Sequence, residues 1–169
     1  MLILGIDPGY ATTGLGLVQA EGGDYRLIQY GTITTPASLS FPKRLQMLYE
    51  DTCQLLRDTK PQAVAVEELF WGRNITTGIG VSHARGVILL AVSQADIPLY
   101  EYTPMQVKQA VVGYGSAQKH QVIDMTRRIL KMDKPAKPDD AADAIAIALC
   151  HARTSSSLLA KLKRNQGEL

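Results

Sequence analysis

The sequence predicts an α/β fold, a central mixed five-stranded sheet flanked by helices. Three observations predict it. Leu2-Ile3-Leu4-Gly5-Ile6 and Ala63-Val64-Ala65-Val66 are short runs with no polar side, as buried strands are. A helical segment lies between them, so the two strands are expected to be parallel through a right-handed crossover. Two further strand-like segments follow the first run through short turns, which makes them antiparallel neighbours.

The first run stops at Asp7-Pro8-Gly9, because proline has no N–H for the ladder and glycine permits a sharp turn. Thr13 to Ala20 and Tyr25 to Thr35 read as the next strands, joined by Gly22-Gly23-Asp24. Gly9, Gly14 and Gly16 are expected to bring backbone close to the Asp7 corner. Ser40 suits an N-cap with Pro42 in the first turn, and Leu45, Leu48, Thr52, Leu55 and Leu56 share one helical face up to Pro61. After the Ala63 strand, which ends on Glu67-Glu68, comes a loop, Leu69 to Asn74. A helix follows from about Ile75 to Ala95, carrying Gly78, Ser82 and Gly86 at intervals of four. Such a stripe admits a close backbone, either of this sheet or of a second copy. Ile97 to Tyr102 is the fifth strand. Thr103-Pro104 opens a helix to about Val112. Ser116 is expected to cap the next helix, to about Lys131, and Asp139 or Asp140 to begin the last, ending near Arg153.

The chain of 169 residues suits one domain, taken as 1–153, followed by a flexible basic tail, 154–169. A hydrophobic content of 46% and a charged content of 20% exclude a disordered chain. No apolar run reaches the roughly 18 residues of a membrane span. With no signal-like N-terminus, a cytoplasmic protein without membrane attachment is expected. Cys53 and Cys150 form no Cys-x-x-Cys and read as buried free thiols. The net charge of +2 does not by itself point to nucleic acid. Between Thr103 and Lys137, however, Lys108, Lys119, Arg127, Arg128, Lys131, Lys134 and Lys137 face only Asp124 and Asp133. Such a basic stretch suits phosphates, although solvated helix faces produce the same pattern.

The acids carry the chemistry. Asp7 and Glu67 each end a buried strand, and ligands bind outside the carboxyl ends of such strands. Asp140 and Asp143 are three residues apart and project together from a slim, alanine-rich helix. Turn capping would account for Asp7 alone, and the helix dipole for Asp139 and Asp140. Neither accounts for Asp143, an acid on an apolar face one turn in. Four crowded carboxylates repel unless a hard cation compensates them, and an all-oxygen set without His or Cys suits Mg²⁺ or Mn²⁺. Two such ions would promote in-line hydrolysis of a phosphodiester.

Six ordered segments then identify a resemblance: Leu4-Gly5-Ile6-Asp7-Pro8-Gly9, Val66-Glu67-Glu68-Leu69-Phe70, Ala84-Arg85-Gly86-Val87, Val107-Lys108-Gln109-Ala110-Val111-Val112-Gly113, Gly115-Ser116-Ala117-Gln118-Lys119 and Asp140-Ala141-Ala142-Asp143-Ala144. Together, over roughly residues 1 to 150, they resemble the bacterial RuvC Holliday junction resolvases. The resemblance implies a ribonuclease-H-like fold and a homodimer that nicks opposed strands of a four-way DNA junction. It implies Mg²⁺, two ions per active site with Mn²⁺ as a substitute, and action with the RuvA–RuvB branch-migration complex. The family's metal-binding acids map onto Asp7, Glu67, Asp140 and Asp143. Its basic residues near the scissile phosphate map onto Lys108 and Lys119, and its base-stacking aromatic onto Phe70. Arg73, Asn74 and Arg85 are expected phosphate contacts. Trp71 departs from the pattern, and Glu68 and Asp139 fall outside the acid set.

Three other readings compete with this one. An actin-like ATPase shares the strand-acid-glycine start but needs two lobes. A ribonuclease-H-like nuclease that processes RNA shares the start but not the Val-Lys-Gln-x-Val-Val-Gly segment. A catalytically inactive junction-binding module would not need all four acids.

Overall fold

The computed structural model of this chain describes residues 1–69 and 75–165, with side chains for 1–69 and 78–155. Five strands, β1 (Leu2–Asp7), β2 (Thr12–Glu21), β3 (Asp24–Thr34), β4 (Ala63–Glu67) and β5 (Leu99–Tyr102), form one sheet in the order β3-β2-β1-β4-β5. The β1–β2 and β2–β3 pairs are antiparallel, whereas β1–β4 and β4–β5 are parallel. The helices are α1 (Phe41–Thr59), α2 (Ile75–Gln94), α3 (Pro104–Val112), α4 (Lys119–Ile129) and α5 (Asp139–Asn165). Among the described residues, no helix is long and apolar enough to cross a membrane.

Strand alternation assigns each helix its side. Leu4, Ile6, Val64 and Val66 pack with Leu48, Leu56, Ala84 and Ile88, so α1 and α2 cover one face. Ile3 and Ala65 pack with Val107, Val122, Ile145 and Leu149, so α3, α4 and α5 cover the other. Successive strand residues point to opposite faces. Asp7 therefore follows Ile3 and Gly5, and Glu67 follows Ala65, onto the α5 side.

Glycines allow α5 to lie directly on the sheet. A Cβ on Gly5 would fall far inside contact distance of the Ala144 carbonyl oxygen, and one on Gly14 would do the same to the Asp140 carbonyl oxygen. On Gly16 it would stand 2.7 Å from the Ile145 Cα. Gly14 is paired in register with Asp7. The close approach thus brings the first turn of α5 to the end of β1.

Several boundaries differ from the sequence reading. Gln118, not Ser116, caps α4, and its backbone N–H donates to Gln121 Oε1 at 2.8 Å. The last helix continues past Arg153 to Asn165. Thr154 and Ser155 can occupy it because their hydroxyls donate back to the carbonyls of Cys150 and Ala152, at 2.8 and 3.1 Å. The small-residue stripe of α2 does not face the sheet: Gly86 is exposed, with open space where a Cβ would stand.

A buried polar pair lies behind β5. His151 of α5 is 3% exposed, and its Nδ1 shares a 2.8 Å hydrogen bond with the Tyr102 hydroxyl. The Tyr100 ring stacks against it at 4.1 Å. Burial holds the imidazole below its ordinary pKa of 6.5. The unfolded chain therefore takes up this proton first as pH falls. The stability contributed by the neutral ring is complete above pH 6.5 and lost on acidification through the lowered value. Urea midpoints measured from pH 7.5 downward should fall more steeply for the natural chain than for His151→Phe.

Candidate active site

Asp7 ends β1, and the chain turns immediately. The Thr13 hydroxyl donates to the Gly9 carbonyl at 2.6 Å and accepts from the Gly9 N–H at 3.3 Å. This closes the Pro8-Gly9 turn beside the acid. Glu67 ends β4 one strand away, because Ile6 and Val66 are register partners. The Glu67 carbonyl accepts the Arg85 Nε–H at 3.1 Å. The first turn of α5 supplies Asp140 and Asp143 from above.

The electrostatics show that these acids share one neighbourhood. Burial first, and then Glu67, Asp143 and Asp140 in that order, push the Asp7 carboxyl up to about 7, against Lys119. Burial raises Glu67 as well, reinforced by Asp143 and opposed by Lys119 and Lys108. Asp143 is raised by burial although the Lys119 ammonium stands 2.8 Å from its Oδ2. That bond in turn raises Lys119. Asp139, the first residue of α5, lies to one side: Lys137 at 2.9 Å holds its carboxyl below the usual range.

Lys108, Lys119, Glu67 and Asp143 line a cleft of about 240 Å³ floored by Val107, Val122 and Ala146. A larger cavity of about 510 Å³ lies between α1 and α2, beside Tyr49, Cys53 and Ala91, and has no acid in its lining. The chemistry-bearing groups therefore mark the smaller cleft.

Among the described residues, no three His, Cys, Asp or Glu groups already converge closely enough to hold an ion. The fit to a divalent cation is carried by charge and donor type. Neighbouring carboxylates, one of them raised to about 7 by burial and then by the other acids, form a site short of positive charge. Their oxygens are the donors that Mg²⁺ and Mn²⁺ take. Lys119 supplies part of the missing charge through Asp143.

Of the residues expected at nucleic acid, Lys108 and Lys119 line this cleft. Arg85 does not join them. Its guanidinium is turned inward, with Nη2 at 2.9 Å from Glu101 Oε1 and the side chain only 15% exposed. No local pattern in the sequence announces that pairing, because Arg85 is on α2 and Glu101 on β5. Phe70, Arg73 and Asn74, like Trp71, lie outside the described residues.

The family model described as "Crossover junction endodeoxyribonuclease RuvC" matches residues 3–151. A relative of that name from Syntrophomonas wolfei is 56% identical over 151 residues, covering 89% of this chain and 88% of the relative. The structure of Thermus thermophilus RuvC is similar at a TM-score of 0.86 and 38% identity, covering 93% of this chain and 96% of that one. The same organism's RuvC in complex with a Holliday junction substrate is similar at 0.85 and 36% identity, with the same coverage. The ribonuclease-H-like fold expected from the sequence is the fold observed.

Proposed function

Because the chain belongs to the crossover junction endodeoxyribonuclease RuvC family, we propose that it resolves four-way DNA junctions by paired symmetric nicks, hydrolysing phosphodiesters with divalent metal ions. The observation that carries this reading is the meeting of Asp7, Glu67, Asp140 and Asp143 from β1, β4 and α5. Acids brought together from three separate elements, with Asp7, Glu67 and Asp143 raised in pKa by burial and by acidic neighbours, serve no packing purpose.

The four carboxylates would hold Mg²⁺, two ions when fully loaded, with Mn²⁺ as a substitute. Bound ions would supply Lewis-acid activation of a water and stabilisation of the departing 3′ oxygen. The chain's own groups do the rest. Lys108 and Lys119 bind the phosphate that enters the cleft, and Lys119 exchanges part of its attraction to Asp143 for that phosphate. The apolar floor of Val107 and Val122 limits water around the reacting atoms. Phe70, just beyond Glu67, stacks on an unpaired base, a contact worth roughly 1–3 kcal/mol. Arg73 and Asn74, which follow Phe70 in the chain, add phosphate contacts.

Two opposed strands require two sites, hence a homodimer. The outward face of α2 supports this. Ile79 and Leu90 are exposed on either side of Gly86, whose missing side chain admits another helix. This apolar stripe is a self-complementary surface of the kind two-fold dimers use.

The test is a synthetic junction with mobile homology, incubated with the protein and Mg²⁺, with nicks mapped on all four strands. Paired nicks on opposed strands, abolished by EDTA, are expected. Cleavage of structured RNA instead would assign an RNA-processing nuclease. Tight junction binding without cleavage of either would assign a binding module.

A further inference from the structure

Arg85 lies on the opposite side of the sheet from the acid cluster. It belongs to α2, whose neighbours Ala84 and Ile88 pack on Val64 and Val66. From there it makes two bonds to the ends of the adjacent parallel strands β4 and β5. Nε–H donates to the Glu67 main-chain carbonyl at 3.1 Å, and Nη2 pairs with the Glu101 carboxylate at 2.9 Å. Glu101 is the register partner of Val66, so both bonds meet where β4 and β5 end. Strand alternation sends the Glu67 side chain away from Arg85, toward α5.

We infer that Arg85 is a positioning residue for the junction cleavage reaction, holding the β4 terminus from behind so that the Glu67 carboxylate stays in register with Asp7 and Asp143. This rests on the reading of the chain as a junction nuclease. The peptide that follows Glu67 is held at both ends: its N–H, from Glu68, donates to the Tyr102 carbonyl of β5 at 2.8 Å, and its carbonyl accepts from Arg85. The guanidinium fork holds that carbonyl from the α2 side by bridging it to Glu101. A lysine ammonium, a single point without the planar fork, cannot reproduce both bonds. Because Arg85 is on α2, the strut also connects the helix proposed to carry the dimer face with an acid of the active site.

An Arg85 that holds β4 differs in a measurable way from an Arg85 that touches phosphate, the role expected from the sequence. Each phosphate contact contributes to the salt dependence of DNA binding, and its loss lowers the slope of log affinity against log salt by about one. A positioning residue leaves that slope unchanged. The experiment compares wild type, Arg85→Ala, Arg85→Lys and Glu101→Gln. It measures single-turnover cleavage of a four-way junction at saturating protein, together with junction affinity between 50 and 200 mM salt in Ca²⁺. Arg85→Ala is expected to cleave about 10–100-fold more slowly, as loss of a residue supporting a ligand does. Its affinity and salt slope should match wild type. Arg85→Lys should be impaired in the same sense, and Glu101→Gln less so. A reduced slope, or undiminished cleavage by Arg85→Ala, overturns the inference. Should Arg85→Ala lose its melting transition, Arg85→Lys decides by the same two readouts. Wild type that cleaves no junction refutes the nuclease reading instead, and is distinguished from the failure of Arg85 by that control.

Discussion

Asp7→Asn is expected to abolish junction cleavage, to leave junction binding intact and to raise the melting temperature. The three effects have one cause. Asp7 is the acid at the centre of the cluster, pushed up to about 7 by burial and by Glu67, Asp143 and Asp140. An amide there removes a negative ligand oxygen from the proposed metal site. Loss of several kcal/mol of electrostatic stabilisation corresponds to on the order of 10³-fold or more in rate. Binding survives because the substitution removes charge that repels phosphate.

Stability moves the other way. A carboxyl moved from 3.8 to about 7 by folding is disfavoured as the anion by on the order of 4 kcal/mol. The folded chain keeps this proton between the two values while the unfolded chain has lost it. The group's contribution to stability therefore declines as pH rises from about 4 to about 7 and stays low above that. Asparagine removes the ionisation but remains a buried polar group, so a gain of about 2 kcal/mol is reasonable. For a chain of this size that is roughly 4–8 °C. Thermal melts at pH 8 without divalent metal check the gain, and melts at pH 4 should show the two proteins much closer. Added Mg²⁺ should raise the melting temperature of the natural chain more than that of Asp7→Asn. Cleavage retained by the variant would remove Asp7 from the metal site.

Gly14→Ala is expected to damage fold and site together. The added methyl would overlap the main-chain carbonyl of Asp140, so it cannot be relieved by a side-chain rotation. Either α5 lifts off the sheet or β2 bends. Overpacking of a tight core costs about 1–3 kcal/mol, and a main-chain clash belongs at the upper end or beyond. A drop of roughly 6–12 °C follows for 3 kcal/mol at this chain length. The displaced element is the one that carries Asp140 and Asp143, so cleavage at a temperature where the variant is still folded should fall at least about tenfold for a misplacement of this kind. Gly31→Ala, on β3, is the matched control: nothing lies within 4 Å of its would-be Cβ, and its effect should stay within about 0.5 kcal/mol. Equal effects at the two positions would mean that strand propensity, not the approach of α5, sets the requirement for glycine.

What the sequence determined by itself is the set of features with a local period. Apolar runs that end on Asp7 and Glu67, a three-residue spacing between Asp140 and Asp143, and the Thr103-Pro104 cap of α3 all follow from geometry within a few residues. Strand and helix periods depend only on covalent structure, so they are legible without knowing what lies across the fold. The antiparallel setting of β2 and β3 and the parallel setting of β4 followed from connection lengths for the same reason, whereas the place of β5 at the sheet edge did not.

The tertiary structure decided everything that depends on a partner distant in the chain. Arg85 looks like a phosphate ligand in a linear reading, but Glu101 and the Glu67 carbonyl claim it because α2 packs behind the ends of β4 and β5. His151 has no ligand spacing, and it acquires a role only because α5 lays it against Tyr102 and Tyr100. Gly14 and Gly16 of β2 were recognisable as close-approach positions, whereas Gly5 of β1 and the helix that approaches all three were settled by packing. Lys119 could be assigned to the site from its motif. Its bond to Asp143, which sets the charge an incoming phosphate meets, exists only once α4 and α5 are side by side. Local periodicity is encoded in neighbouring residues; charge pairing and burial are properties of surfaces that only the folded chain creates.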